Sequence, residues 1–214
     1  MNKDKEILEK TYKKPGVVWT ATEPPKELVE LVESGKLKPC KVIDVGCGEG
    51  FYSIYLASKG FEVTGIDISE KAIRYAKENA RKHGVNVKFM VLDVMDLLKL
   101  KEKFDFVFEW ALMHLIMLPQ RRKYVEDISR ILKKGAKYFS ASFNEKDSHL
   151  GKPCQRLRIV PLGSKMPAGT KLYFSSLEEL KELFKPHFKI IEAKIITMPV
   201  GRPHIGNYLF MEKT

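Results

Sequence analysis

Between residues 41 and 143, short runs rich in β-branched and aromatic residues take turns with stretches whose apolar residues recur at helical spacing. The strand-like runs are Lys41–Val45, Glu62–Ile66, Val87–Leu92, Phe104–Glu109 and Ala136–Phe143. Helices are predicted near Tyr52–Lys59, Glu70–His83 and Gln120–Leu132. A helix that returns the chain between successive strands lets those strands lie parallel, so this order predicts an α/β architecture with a parallel sheet covered by helices. Boundary signals agree. Ser69 stands where an N-cap belongs, and Gly84 follows the same helix where a left-handed C-cap residue belongs.

The rhythm changes after residue 143. Asn144–Leu172 is polar, contains Pro153, Pro161 and Pro167, and sustains neither period, so it reads as an irregular insertion. Ser175–Pro186 reads as a helix. Strands at Phe188–Met198 and His204–Glu212, with ProValGlyArgPro between them, predict a terminal antiparallel pair. No linker divides the 214 residues, and a single domain is expected over 1–214, with 1–35 as an N-terminal cap and 144–172 as a lid or substrate insertion.

The net charge of +11 raises the question of a nucleic-acid partner, but lysines interleave with glutamates along KELVELVESGKLK, EKAIRYAKENARK and LEELKELFK. That is the pattern of a solvated, ion-paired surface rather than of a phosphate-binding stripe. No apolar run approaches the length that crosses a bilayer, and MNKDKEILEK interleaves charges where a secretory signal needs apolar residues, so no membrane association and a cytoplasmic location are expected. Cys40, Cys47 and Cys154 have neither ligand spacing nor even number, and are read as reduced thiols with no metal.

The chemistry is concentrated in ValIleAspValGlyCysGlyGluGly, Val42–Gly50, where glycines follow an apolar strand and precede a helix. Glycine is demanded where backbone approaches a ligand or takes positive φ, and the helix N-terminus adds free N–H donors. GlyIleAsp at Gly65–Asp67 ends the next strand with a carboxylate placed for a ribose diol. A dinucleotide fingerprint would need glycine at position 51, which is Phe51. Asp44, just ahead of the glycines, suits instead a ligand with a cationic amino-acid portion.

Asp44 through Gly50 resembles motif I of the class I S-adenosylmethionine (SAM) dependent methyltransferases, and the likeness extends over about 40–143. The resemblance implies a Rossmann-like methyltransferase fold: a mostly parallel seven-stranded sheet with a C-terminal antiparallel hairpin and helices on both faces. It also implies SAM as cofactor. Gly46, Cys47 and Gly48 would pass along its methionine part, Asp67 would hold the ribose hydroxyls, and Ile68 would pack on adenine. Asp93 would face the adenine amino group with Val94 beside it. Trp19, ahead of Pro24 and Pro25, either anchors the N-terminal segment on the core or covers the cofactor, as an aromatic segment does in the resembling enzymes.

The fourth strand and its sequel, PheAspPheValPheGluTrpAlaLeuMetHis, resemble the thiopurine, halide and thiol methyltransferase group, with Pro119 and Arg122 fitting a Pro-x-x-Arg spacing. Glu109, Trp110 and His114 leave the carboxyl end of that strand and are the candidate catalytic residues, Glu109 lying nearer the cofactor. Trp110 departs from the charged residue of several members of the group. Two roles are open to His114: a structural one, or taking a proton from an acceptor thiol or holding its anion. The expected reaction is methyl transfer from SAM to a small acceptor with a thiol-like or other soft nucleophile. A nucleic-acid or protein methyltransferase and a non-catalytic SAM-binding module are the alternatives. The sequence assigns no oligomeric state.

Overall fold

A computed structural model describes Glu6 and residues 9–214. Of the expected N-terminal cap, residues 1–5, 7 and 8 lie outside the described residues. The elements run α1 (Lys26–Glu33), β1 (Lys41–Val45), α2 (Phe51–Ser58), β2 (Glu62–Asp67), α3 (Glu70–Lys82), β3 (Lys88–Val91), β4 (Phe104–Trp110), α4 (Leu118–Ile131), β5 (Leu132–Phe143), β6 (Leu157–Ile159), β7 (Lys171–Tyr173), α5 (Leu177–Phe184), β8 (Phe188–Val200) and β9 (Arg202–Lys213). Short 3-10 turns at Val94–Lys99 and Met113–Leu115 follow β3 and β4.

Seven strands form one sheet in the order β3-β2-β1-β4-β5-β9-β8. The first five are parallel, and β9 pairs antiparallel with both β5 and β8. The expected sheet is therefore present, with its switch of strand order beside β1, where the crevice of such sheets lies. Ser69 caps α3 by accepting from the Ala72 amide at 3.1 Å, and Gly84 follows at φ 65°. The terminal hairpin is tighter than its Pro-rich turn suggested, because Val200 pairs directly with Arg202 around Gly201. A side chain at Gly201 would lie 2.8 Å from the Val18 carbonyl oxygen, so this turn packs on the N-terminal segment.

Strand alternation divides the core. Val42, Phe106, Phe108, Trp110, Phe139 and Phe210 pack on one face with Leu28 and Leu31 of α1. Ile43, Val107, Tyr138 and Leu209 pack on the other with Tyr124 and Ile128 of α4 and Leu180 of α5. Residues adjacent in a strand point to opposite faces. Glu109 and Trp110 are therefore separated by the sheet itself.

The insertion is less irregular than expected. It contains the antiparallel pair β6–β7, and Arg158, buried within it, donates to the carbonyls of Gln155 at 2.7 Å, Glu145 at 3.2 Å, Lys152 at 3.3 Å and also His149. The Arg158 guanidinium lies 3.9 Å from the Phe174 ring centroid. One buried arginine thus organises a segment whose sequence carries no period, by satisfying carbonyls that no helix or sheet would satisfy.

Candidate functional site

Where β1 ends, Gly46, Gly48 and Gly50 all take positive φ, 74°, 53° and 80°. Gly50 has a second constraint, since an added Cβ would lie 2.7 Å from the Phe89 ring and 2.9 Å from Ala76. The Gly46 and Cys47 amides both donate to the Ile66 carbonyl at 2.9 Å, which fixes the loop to the end of β2. Asp67 finishes that strand and accepts from the Gly48 amide at 3.0 Å and the Ser69 amide at 2.8 Å. Burial pushes its carboxyl up to about 6, against the pull of those amides. Asp44 is buried too and accepts from Ser53 Oγ at 2.6 Å. Burial pushes it up to about 7; the Ser53 hydroxyl opposes the shift and Asp67 adds to it. The Cys47 thiol is driven well above its ordinary value by burial, and is a small apolar part of the loop.

These groups line one end of a cavity of about 600 Å³, together with Ile68, Asp93, Val94 and Trp19. Asp93 caps the turn after β3, accepting from the Met95 amide at 2.9 Å. Trp19 donates from Nε1 to the Tyr12 hydroxyl at 3.0 Å, their rings edge to face at 5.9 Å. Glu49 ties this segment down by accepting from the Gly16 amide at 2.9 Å, the Val17 amide at 3.4 Å and Thr20 Oγ1 at 2.8 Å. Glu49 stands between Gly48 and Gly50 of the motif, and its hydrogen bonds reveal this role.

The same cavity continues to Trp110, His114 and Phe143. Ala111 leaves β4 in the left-handed region at φ 60°, turning the chain toward the Met113–Leu115 turn. Trp110 and His114 are 8% and 4% exposed, yet Trp110 Nε1 and His114 Nδ1 have no hydrogen-bond partner. A buried polar atom without a partner costs about 1–3 kcal/mol, so two of them on one cavity wall point to a ligand. His114 stacks on Phe143 at 4.1 Å. Burial, reinforced by Arg121 and His204, lowers it to about 3, which favours the neutral imidazole near neutral pH.

Glu109 is absent from the cavity lining, which corrects the expectation that it stands beside the cofactor. It faces the α4 side and accepts from the Met113 amide at 3.1 Å, Ser140 Oγ at 3.1 Å, Tyr124 OH at 2.9 Å and Tyr138 OH. With two donors on each oxygen, it is a structural node. Arg122, which fits the Pro-x-x-Arg spacing with Pro119, stands beside a second arginine. Arg122 is exposed, whereas Arg121 is buried and donates to the carbonyls of Ile116 at 2.7 Å, Met113 at 3.1 Å and Tyr173 at 3.1 Å, and to Ser175 Oγ at 2.5 Å. Helical spacing puts Arg121 on the inward face with Tyr124, Val125 and Ile128. His149, His204 and Gln120 also line the cavity and lie outside the sequence expectations. They come from the insertion, from β9 and from α4, which no local motif connects.

A protein family described as "Methyltransferase domain" matches residues 36–191. The 2-heptyl-1-hydroxyquinolin-4(1H)-one methyltransferase of Mycobacteroides abscessus is 32% identical over 128 residues, 59% of this chain and 56% of that protein. A ubiquinone biosynthesis O-methyltransferase of Coxiella burnetii is 33% identical over 120 residues, 56% of this chain and 50% of that protein. The chain thus spans about half the length of these curated relatives. A solved structure from work on conversion of a disulfide bond into a thioacetal group during echinomycin biosynthesis shares the fold at a TM-score of 0.78. It is 21% identical, and the match covers 98% of this chain and 92% of that one.

Proposed function

The chain belongs to the SAM-dependent methyltransferase domain family, and we propose that it transfers a methyl group from SAM to a small acceptor that binds with its nucleophile, thiol-like first, already ionised. The observation that carries this reading is the charge and polarity of one cavity, with Asp44, Asp67 and Asp93 at the glycine-loop end and the unpartnered Trp110 Nε1 and His114 Nδ1 further along it. The residues fit the cofactor. Asp44 would hold the ammonium of the methionine part, Gly46, Cys47 and Gly48 would flank that part, and Asp67 would hold the ribose hydroxyls. Ile68, Asp93 and Val94 would receive the adenine, with Trp19 over the segment. When bound, SAM supplies an already electrophilic methyl on a sulfonium, so this chain has chiefly to align the partners and exclude water.

Trp110 provides the apolar wall, and its ring face suits a cation by about 0.5–2 kcal/mol. His114, neutral to about pH 3, positions the nucleophile by hydrogen bonding. The histidines that line the cavity beside it do no better as bases: burial lowers His149 to about 4, and burial also lowers His204. Weakly basic imidazoles favour an acceptor whose nucleophile is already ionised in solution, such as a thiol or an acidic hydroxyl. Within the single domain, Tyr12 and Val18–Ala21 of the N-terminal segment would cap the cofactor end and 144–172 would close the acceptor end. The relatives' names, a hydroxyquinolinone methyltransferase and an O-methyltransferase, favour a second reading in which the nucleophile is an oxygen.

Calorimetry with S-adenosylhomocysteine, and transfer of labelled methyl from SAM to thiophenol and to 4-nitrophenol, test the proposal. Tight binding and faster transfer to the thiol are expected. Faster transfer to the phenol selects the oxygen reading, and no binding of S-adenosylhomocysteine rejects both.

A further inference from the structure

We infer that the acceptor is an organic anion carrying a carboxylate apart from its nucleophile, and that Arg202 holds that carboxylate at the cavity wall. The inference rests on the methyl-transfer reading above. The charges lining the cavity are segregated: the acidic side chains Asp44, Glu49, Asp67 and Asp93 all sit on the glycine loop or at the ends of β1, β2 and β3. The basic side chains besides the histidines are Arg202, which opens β9, and Lys165 in the insertion. Neither makes an ion pair among the described residues, so both charges are open to a ligand. Arg202 and His204 share one face of β9 and line both this cavity and a second one of about 270 Å³ behind it.

The carboxylate closest in the hydrogen-bond network is already engaged. Asp147, 4% exposed, accepts from the Ile205 amide at 2.7 Å, the His149 amide at 2.6 Å and His204 Nδ1 at 3.3 Å. It holds the imidazole and the strand and leaves the Arg202 guanidinium available. Arg202 also bears on both imidazoles electrostatically, helping to lower His149 and His204, so its positive field reaches this end of the cavity. A cationic donor molecule suits the acidic end and an anionic acceptor suits the basic end, which orders the two substrates in one cavity without any further selector. The Trp110 indole N–H, a buried donor with no acceptor, meets an anionic nucleophile better than a neutral one. In the transfer, the acceptor's anionic sulfur or oxygen forms the bond to the methyl carbon. The bond from that carbon to the sulfonium breaks with its electron pair left on sulfur, and the acceptor's proton has gone to solvent on binding.

The test compares 4-mercaptobenzoate with 4-methylbenzenethiol, which share the thiol and the ring and differ in the carboxylate. A charge-assisted pair predicts a KM about tenfold lower for 4-mercaptobenzoate in the native protein, and a ratio falling toward unity in Arg202→Met. Arg202 is exposed at the start of β9, and a thermal melt checks that the variant folds. Equal KM values in the native protein, or a preference undiminished in Arg202→Met and in Arg202→Met with Lys165→Met, overturn the inference. If neither thiol is methylated, calorimetric binding of 4-mercaptobenzoate decides it: binding lost in Arg202→Met supports the inference, and no binding or unaltered binding overturns it. Failure to bind S-adenosylhomocysteine is a separate result, and counts against the methyl-transfer reading.

Discussion

Asp44 is held in a conflict between fold and ligand. Burial raises its carboxyl to about 7, with a single hydroxyl, Ser53, donating to it. Because the folded-state value lies above that of the unfolded chain, the ligand-free fold keeps a proton that the unfolded chain releases. Its stability therefore falls as pH rises from about 4 to about 7. Above that window the carboxylate is ionised and ready for an ammonium. Asp44→Asn should consequently raise the ligand-free stability at pH 8 by on the order of 2 kcal/mol, roughly 4–8 °C in Tm, and weaken S-adenosylhomocysteine binding at least about tenfold. Calorimetry and thermal melts across pH 5–8 read both effects, and a variant that binds as well as the native protein removes Asp44 from the ammonium site. The residue type and place of Asp44 were readable from the motif, but its raised pKa was not, because burial by distant chain sets it. His114 shows the same limit. Its position after β4 was legible, whereas its neutrality follows from enclosure by Phe143, Arg121 and His204.

Among elements, the glycine loop and the N-terminal segment act as a pair. The Glu49 carboxylate, buried on the loop, accepts hydrogen bonds from the Gly16 and Val17 amides and the Thr20 hydroxyl, and Gly201 of the terminal hairpin closes on Val18 from the other side. Replacing Glu49 by Gln leaves one good acceptor where several donors converge, so Gly16–Ala21 should exchange amide hydrogens faster. S-adenosylhomocysteine should leave about tenfold faster, with little loss of global stability. Hydrogen exchange and stopped-flow dissociation are the measurements, and unaltered exchange there would show that the tether does not control the cap. Strand β4 supplies the complementary lesson. Period-two alternation puts Glu109 and Trp110 on opposite faces of the sheet although they share a strand end.

Across the whole molecule, Glu109 joins β4, the Met113 turn, α4 and β5 without itself lining the cavity. Removing it leaves the Tyr124 and Tyr138 hydroxyls and the Ser140 hydroxyl buried without their acceptor. Glu109→Ala should therefore lower unfolding free energy by about 2–4 kcal/mol in urea titrations while the folded fraction keeps its affinity for S-adenosylhomocysteine. A loss of affinity at unchanged stability would return Glu109 to the cofactor. By itself the sequence determined the alternating strands and helices, the positive-φ glycine turn and the acidic residues at strand ends, because those are demands of local backbone geometry and short period. Only the tertiary structure decided that His114, His149 and His204 share one cavity, that Arg121 rather than Arg122 turns inward, and that Glu49 holds the N-terminal segment. Those contacts join residues far apart in the chain, and burial, not any local pattern, selects which polar atoms meet and which are left for a ligand.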